Sequence, residues 1–289
     1  MAVGSLAYVL NDAVIRLATE EGLGVYQVLC LRGLAMTTLF LAVGRIRGEQ
    51  PRRAHLQRPA LLRVAAEMTS TGLFFAALVR MEFANAQAIL QIVPLAVTLA
   101  AAVILREQVS RQRYAAIALG FVGVLVVIRP ATEGFTVWSL AVLGSVVLMV
   151  AREFATQRVD PATPVLSLAC MTAIGNSVLF AIIATVAGWS EVSGRGMALI
   201  ATAAVLLFFG YVFTIQTIRV GDLSVSAPFR YTILLGAVVA GIVFFDEIPD
   251  AFTIIGSALI VASGLFAISL DRRQRRPIDT DGDGVPVPT

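Results

Sequence analysis

Ionisable side chains sit inside long apolar runs of this sequence. Asp12, Arg32, Glu67, Arg152 and Arg230 are each flanked by stretches built mainly of Ala, Val, Leu, Ile, Phe and Gly. A charge near the middle of a bilayer costs about 3 kcal/mol even on a lenient scale, so it faces a protein interior or a watery cavity. Asp12 lies four residues after Tyr8 and four before Arg16, which puts all three on one helix face. Two readings of it stand. It is a cavity carboxylate that meets a cationic ligand group or exchanges a proton, or it forms an internal i, i+4 pair with Arg16. A guanidinium stays charged and offers a planar fork to a carboxylate or phosphate. Arg230, between Pro228 and Tyr231, suits an anionic ligand group or a structural pair with Asp12 or Glu67. Arg32 follows the same logic, or lies at the edge of the bundle. Glu67 is either the partner of Arg63 four residues earlier or a proton-titrating carboxylate. Arg152 is a candidate partner of Asp12, either as a structural pair or as one that breaks on ligand binding, and Glu153 points about 100° away around the helix. Gln87 and Gln91 share a face one turn apart, and Pro94 follows, where the helix can bend. That combination suits a cavity wall, with interhelical packing as the alternative. Tyr211 and Gln216 are weaker candidates of the same kind.

The elements that must hold these groups follow from composition. Of 289 residues 58% are apolar and 14% charged, with a mean hydropathy of +0.85, against roughly half and a quarter in an ordinary soluble domain. A soluble globular chain is excluded, and so is a disordered one, which needs low hydrophobicity and high net charge. Apolar runs occur at about residues 2–19, 24–44, 60–80, 84–105, 112–128, 136–157, 164–188, 197–218, 223–245 and 252–270. Each is near the length of about 20 residues that spans a bilayer as a helix. The first run lacks a basic start and a small-residue cleavage site, so it is expected to stay as a helix.

The net charge is +3 and every basic residue is Arg. Most of them gather in alternate connections, such as Arg45, Arg47, Arg52, Arg53 and Arg58, then Arg106, Arg111 and Arg113, then the group Arg272–Arg276. Arg80, Arg129 and Arg195 fall on the other side beside Glu20, Glu21, Glu133 and Glu191. The positive-inside rule then places both termini in the cytoplasm and gives the basic residues a topological role, with no nucleic-acid partner. Cys30 and Cys170 lie within apolar runs, which argues against a disulfide framework.

Sliding the chain on itself aligns Leu105-Arg106-Glu107 with Phe245-Asp246-Glu247, an offset of 140 residues. The same offset pairs Asp12 with Arg152 and Cys30 with Cys170. Two halves of five spans each insert with opposite orientation, the inverted-repeat plan of many secondary transporters. Glu107 and Glu247 would close the fourth and ninth spans as interface residues. Gly120, Gly123, Gly256 and Gly264 would allow close packing of the fifth and tenth.

The segment from Leu90 to Pro130, with Pro94, Glu107, Arg113, Gly120-Phe121-Val122-Gly123 and Arg129-Pro130, resembles the first half of an EamA-type transporter of the drug/metabolite transporter superfamily. Ala227-Pro228-Phe229-Arg230-Tyr231 and Phe245-Asp246-Glu247-Ile248-Pro249-Asp250 resemble its second half. Asn11-Asp12, Arg32 and Ala-Pro-x-Arg-Tyr look most like a branch that includes bacterial S-adenosylmethionine uptake carriers, and related members carry flavins. The resemblance implies an all-α membrane protein of ten transmembrane helices in two inverted five-helix EamA repeats, residues 1–131 and 132–270. It implies alternating access in a bacterial-type inner membrane without an ATP-hydrolysing subunit, a cofactor or a metal.

The expected function is secondary transport of a small polar metabolite, of the amino-acid class or like S-adenosylmethionine, by a monomer or homodimer. Proton coupling and exchange both stay open, as does export of a drug-like compound or a flavin. Mixed signs at Asp12, Glu67, Arg32, Arg152 and Arg230 suit a zwitterion. An intramembrane enzyme is disfavoured, since the single His55 and the absence of nucleophile or metal-ligand motifs leave no catalytic constellation. A channel is the remaining rival. After residue 270 the chain turns basic and then polar. Asp279-Thr280-Asp281-Gly282-Asp283-Gly284 imitates the start of a calcium loop without its position-12 Glu, so residues 271–289 read as a cytoplasmic disordered tail.

Overall fold

The computed structural model of the chain describes residues 2–49, 55–130, 136–220, 229 and 231–274, with side chains described through residue 213 of the ninth helix and 270 of the last. The helices are α1 (Ala2–Glu20), α2 (Val25–Arg47), α3 (Arg58–Leu78), α4 (Phe83–Leu90), α5 (Val93–Ile104), α6 (Arg111–Ile128), α7 (Val137–Gln157), α8 (Val165–Ala187), α9 (Gly194–Val220), α10 (Thr232–Phe245) and α11 (Ala251–Gln274). No strand occurs among the described residues. Eight helical stretches are long and apolar enough to cross a membrane: α2, α3, α4 with α5 as Phe83–Ile104, α6, α7, α8, α9 and α11. The 14-residue α10 is a shorter apolar helix. The 19-residue α1 carries Asp12, Arg16 and Glu20. The chain is a multi-pass membrane protein, helical throughout its regular elements among the described residues.

Two expected spans differ in detail. The run 84–105 is broken between α4 and α5, because Pro94 has no N–H to give and its ring crowds the carbonyl four residues back, at the end of α4. Gln91 and Ile92 close the break with short i→i−3 bonds to Ala88 and Ile89 (3.1 and 3.2 Å). The run 223–245 becomes helical as α10 only from Thr232. Residues 221–228 and 230 lie outside the described residues.

Packing joins early helices to late ones. α1 lies along α9, α2 along α8, α3 along α7, α4 against α10 and α6 along α11, while α1 also meets α10 and α4 and α5 meet α7. α6 and α11 approach closely enough for their backbones to touch. A Cβ at Gly123 would stand 2.8 Å from the Gly256 carbonyl, and one at Gly256 would stand 2.7 Å from the Gly123 carbonyl. Only glycine lets the two backbones touch there, as at many membrane helix crossings. Large side chains such as Leu34, Leu62, Val103, Val147, Val186 and Leu235 are exposed, as lipid-facing surfaces of a helical bundle should be.

Local chemistry repeats with the offset of 140. Arg106 and Asp246 both adopt left-handed backbone, φ 55° and 52°. The N–H groups of Glu107 and Glu247 then reach back to the carbonyls of Ala101 and Gly241, at 3.5 and 3.0 Å. This is the Schellman way of ending a helix, and it aims Glu247 from the end of α10 toward α1 and α4.

Candidate functional site

A cavity of about 600 Å³ opens between α1, α2, α3, α7, α8 and α9. Its wall carries two carboxylates, Asp12 and Glu67, and three guanidinium groups, Arg32, Arg63 and Arg152. Tyr8, Phe40, Phe74, Phe75 and Tyr211 supply rings, and Met36 and Met149 supply adaptable apolar surface.

Each charge is held by partners from other helices. Asp12 accepts from Gln87 Nε2 on α4 (2.7 Å) and from Asn11 Nδ2 (2.8 Å). Arg32 donates to Asn11 Oδ1 (3.2 Å) and lies 5.2 Å from the Phe75 ring centroid. Asn11 therefore bridges the carboxylate and the guanidinium, using its amide at both ends. Arg152 on α7 binds Glu67 on α3 at 2.8 Å and also contacts Glu153. Arg63 donates to Thr172 Oγ1 on α8 (3.0 Å). Among the described residues its Nε is buried without a partner, as is Asn176 Oδ1 on the same wall. Buried polar atoms are normally paired, so Arg63 and Asn176 hold hydrogen-bonding capacity in reserve. Tyr211 donates to the Val165 carbonyl (3.1 Å), close to where α8 begins.

At the far end of α1 a cluster of polar contacts ties the helices together. Arg16 binds Glu247 and the Met81 carbonyl (3.2 Å), and it lies 4.3 Å from the Phe245 ring centroid. The second Glu247 oxygen accepts from the Phe83 N–H at the start of α4 (2.7 Å), and the Phe83 and Phe245 rings are 5.4 Å apart. One carboxylate thus ties α1, α4 and α10 together with charge-assisted bonds. Beside it Arg129 pairs with Asp250, which caps α11 through the Thr253 N–H (2.9 Å). The Arg129 hydrogen bond holds the Asp250 carboxyl down at about 2. Burial, with the charges of Glu247 and Asp250, pushes Glu82 above the usual carboxylate range.

Of the residues singled out in the sequence, Asp12, Arg32, Glu67, Arg152 and Tyr211 line the cavity. Gln87 is only 2% exposed and touches it through Asp12. Gln91 lies at the α4–α5 break, away from the wall. Tyr231 is buried with its hydroxyl over Gly264 of α11. Arg230 and the Gln216 side chain lie outside the described residues.

Three anticipated pairs are replaced. Arg16 binds Glu247 and Glu20 in place of Asp12. Arg152 binds Glu67 in place of Asp12, and Arg63 turns to Thr172 in place of Glu67. Helical spacing puts two charges in reach of each other, but the better-placed partner on a neighbouring helix wins. Asn176 and Thr172 went unnoticed in the sequence. Asn176 is the one amide in α8, and that would have been the signal.

Residues 1–129 match the model of the EamA-like transporter family. The chain is 25% identical over 185 residues to the S-adenosylmethionine uptake transporter of Rickettsia felis, covering 63% of this chain and 61% of that relative. It is 28% identical over 231 residues to the riboflavin transporter of Rhizobium johnstonii, covering 78% of this chain and 75% of the relative. A crystal structure with 18% identity aligns over 94% of this chain and 98% of its own, with a TM-score of 0.65. That likeness is one of fold.

Proposed function

We propose that this EamA-type chain is a secondary transporter that carries a small polar metabolite through the Asp12–Arg63 cavity by alternating access. The cavity carries the reading: three guanidinium groups face two carboxylates in a wall of aromatic, apolar and a few neutral polar side chains such as Asn11, Thr172 and Asn176. A carboxylate-bearing ligand gains from the excess guanidinium, and Arg63 has a buried Nε donor in reserve. A cationic group would meet Asp12, and rings of the wall would stack on a heterocycle. An amino-acid-class or S-adenosylmethionine-like zwitterion fits this set, in keeping with the relatives named for S-adenosylmethionine uptake. A flavin is the second reading, favoured by the aromatic wall and by the relative named for riboflavin.

In our reading residues 1–131 and 132–270 are two inverted five-helix repeats, and residues 271–289 are a cytoplasmic tail. Two observations support this: the partnering of α1 with α9 and α3 with α7 exchanges correctly under such a symmetry, and the helix ends at Arg106 and Asp246 match. Both termini face the cytoplasm of a bacterial-type inner membrane. The chain is then caught open inward, with the Arg16–Glu247 end closed to the outside. Asp12, Arg32, Glu67, Arg152 and Tyr211 contact the ligand, Gln87 positions Asp12, and Arg63 and Asn176 join them. Gln91, Arg230 and Tyr231, singled out in the sequence, stay in the reading as coupling candidates, with no contact to the ligand assigned to them.

Counterflow in proteoliposomes tests the reading. Internal unlabelled S-adenosylmethionine or riboflavin should accelerate entry of the labelled compound, and an imposed pH gradient separates proton coupling from exchange. Arg63→Ala and Asp12→Asn should each abolish counterflow in folded protein. Wild-type counterflow in both variants would sink the site, and non-saturable flux would mark a channel.

A further inference from the structure

A second, larger recess lies on the other side of the α3–α7 wall. Its volume is about 1160 Å³, and it runs between α3, α5, α6 and α7. That exceeds the roughly 300–1,000 Å³ of an ordinary small-molecule site. α3 and α7 each split their faces between the two spaces. Glu67 and Arg152 point to the cavity, while Thr69 and Ala151 line the recess. The lining is apolar apart from Thr69 and two ionisable residues, both arginines, Arg58 and Arg158.

Those arginines lie at the same end of the recess. Arg58 is the first residue of α3, and Arg158 follows the last residue of α7. Gln57 Oε1 accepts from the Asp160 N–H (3.3 Å), which ties the two helix ends together one and two residues away. Both arginines are exposed. Arg58 makes no ion pair among the described residues, and Arg158 uses one Nη on the Phe154 carbonyl (3.3 Å), leaving its other donors. The positive end of the α3 dipole and the negative end of the α7 dipole lie together there and offset each other, so the arginines themselves supply the field.

We propose that this recess binds one anionic phospholipid of the surrounding bilayer, with an acyl chain along the apolar groove and the phosphate between Arg58 and Arg158. The charge pattern selects this occupant. A neutral apolar compound would leave the arginines unused, and a soluble anion would leave the groove empty. Two arginines at a membrane surface favour an anionic over a zwitterionic lipid of equal chain length by roughly tenfold to thirtyfold. Bound there, the lipid would brace α3 against α5 and α7, the outer wall of the transport cavity.

The test uses purified full-length protein stripped of lipid, with native mass spectrometry reading the retention of dioleoyl phosphatidylglycerol against dioleoyl phosphatidylcholine. The wild type should prefer phosphatidylglycerol by about the factor above. Arg58→Gln with Arg158→Gln should bring the two lipids within about twofold to threefold, the range expected once both charges are gone. Ala100→Phe, which fills the groove, should weaken both lipids. Equal retention in the wild type, or a preference that survives the double substitution, overturns the proposal. Displacement of phosphatidylglycerol by S-adenosylmethionine or riboflavin overturns it as well, since the recess would then be a branch of the substrate path. If Ala100→Phe does not fold, the exposed arginine pair still decides.

Discussion

Neutralising Glu247 should open the closed end of the bundle. Glu247 is the one carboxylate that binds Arg16 of α1 and the Phe83 N–H of α4 from the end of α10. At an effective dielectric of 20, charges about 4 Å apart attract by about 4 kcal/mol. Three facts reduce the net loss in Glu247→Gln. The amide oxygen still accepts from Phe83, Glu20 remains 3.6 Å from Arg16, and the two side chains are 14% and 20% exposed, which lets solvent screen them. A net shift of about 1–3 kcal/mol remains, or roughly 5- to 150-fold in the population open at that end. The reporter is Thr71→Cys on the cavity wall, in a background where the buried Cys30 and Cys170 are replaced by Ala. A membrane-impermeant maleimide is applied from the Glu247 side of oriented vesicles. Labelling should accelerate by that factor in Glu247→Gln and stay at the parent rate in Glu107→Gln, whose carboxylate is exposed at the other end. Equal labelling of parent and Glu247→Gln, with both folded, would refute the reasoning.

Three further outcomes follow from the same geometry. Gly123→Ala should lower thermal stability by about 1–3 kcal/mol, because the new methyl meets the Gly256 backbone carbonyl and cannot be relieved by a rotamer change. Gly144→Ala, whose nearest neighbour would be a Leu73 methyl at 3.5 Å, should be neutral or stabilising, so equal losses in the two would contradict the account. A double-mutant cycle with Glu67→Gln and Arg152→Gln should give a coupling of about 1–3 kcal/mol in unfolding experiments. The value falls below that of a fully buried pair, since both side chains are over a fifth exposed and Glu153 also holds Arg152. A coupling under about 0.5 kcal/mol would mark the pair as incidental. The Asp250 carboxyl is held down at about 2 by Arg129, against about 3.9 unfolded. Its contribution is therefore complete above pH of about 4 and disappears as pH falls through 2. Asp250→Asn should lower the unfolding temperature at neutral pH and flatten its decline between those values, and an unchanged acid profile would contradict the pairing.

The sequence made the face of α1 legible, because Tyr8, Asp12 and Arg16 recur every four residues in an apolar helix. It did not reveal their partners. Gln87 reaches Asp12 across 75 residues, Arg152 reaches Glu67 across 85, and Glu247 reaches Arg16 across 231. Local spacing favours i, i+4 pairs worth a few tenths of a kcal/mol, while tertiary packing offers carboxylate–guanidinium contacts at better angles and lower exposure. The break at Gln91 was foreshadowed by Pro94, a purely local effect. The second apolar recess left no trace in the sequence, since Ala65, Ala100 and Ala151 read as ordinary spanning residues until three helices bring them together.

In the proposed inverted repeat the helix ends at Arg106 and Asp246 match in backbone and differ in charge, and that difference has an energetic consequence. Glu107 and Glu247 follow left-handed residues with the same returning hydrogen bond. The offset of 140 that relates them carries Arg16 onto Thr156, whose hydroxyl bonds the Arg152 carbonyl on its own helix. Exchanging the roles of the halves, as alternating access requires, would close the Glu107 end without the ion pair that closes the Glu247 end. Under the proposed alternating access, the resting chain would favour the state seen here by the value of that pair, about 1–3 kcal/mol. A transported ligand must bind the opposite state more tightly by at least that much to reverse the balance. Asp12 and Arg63 stand on different helices of the cavity, so a zwitterion that engages both ends can supply such a difference, and a ligand that satisfies one of them alone supplies less. Substrates with a single charge should therefore bind to the cavity yet move slowly, and counterflow rates set against binding constants would expose that split.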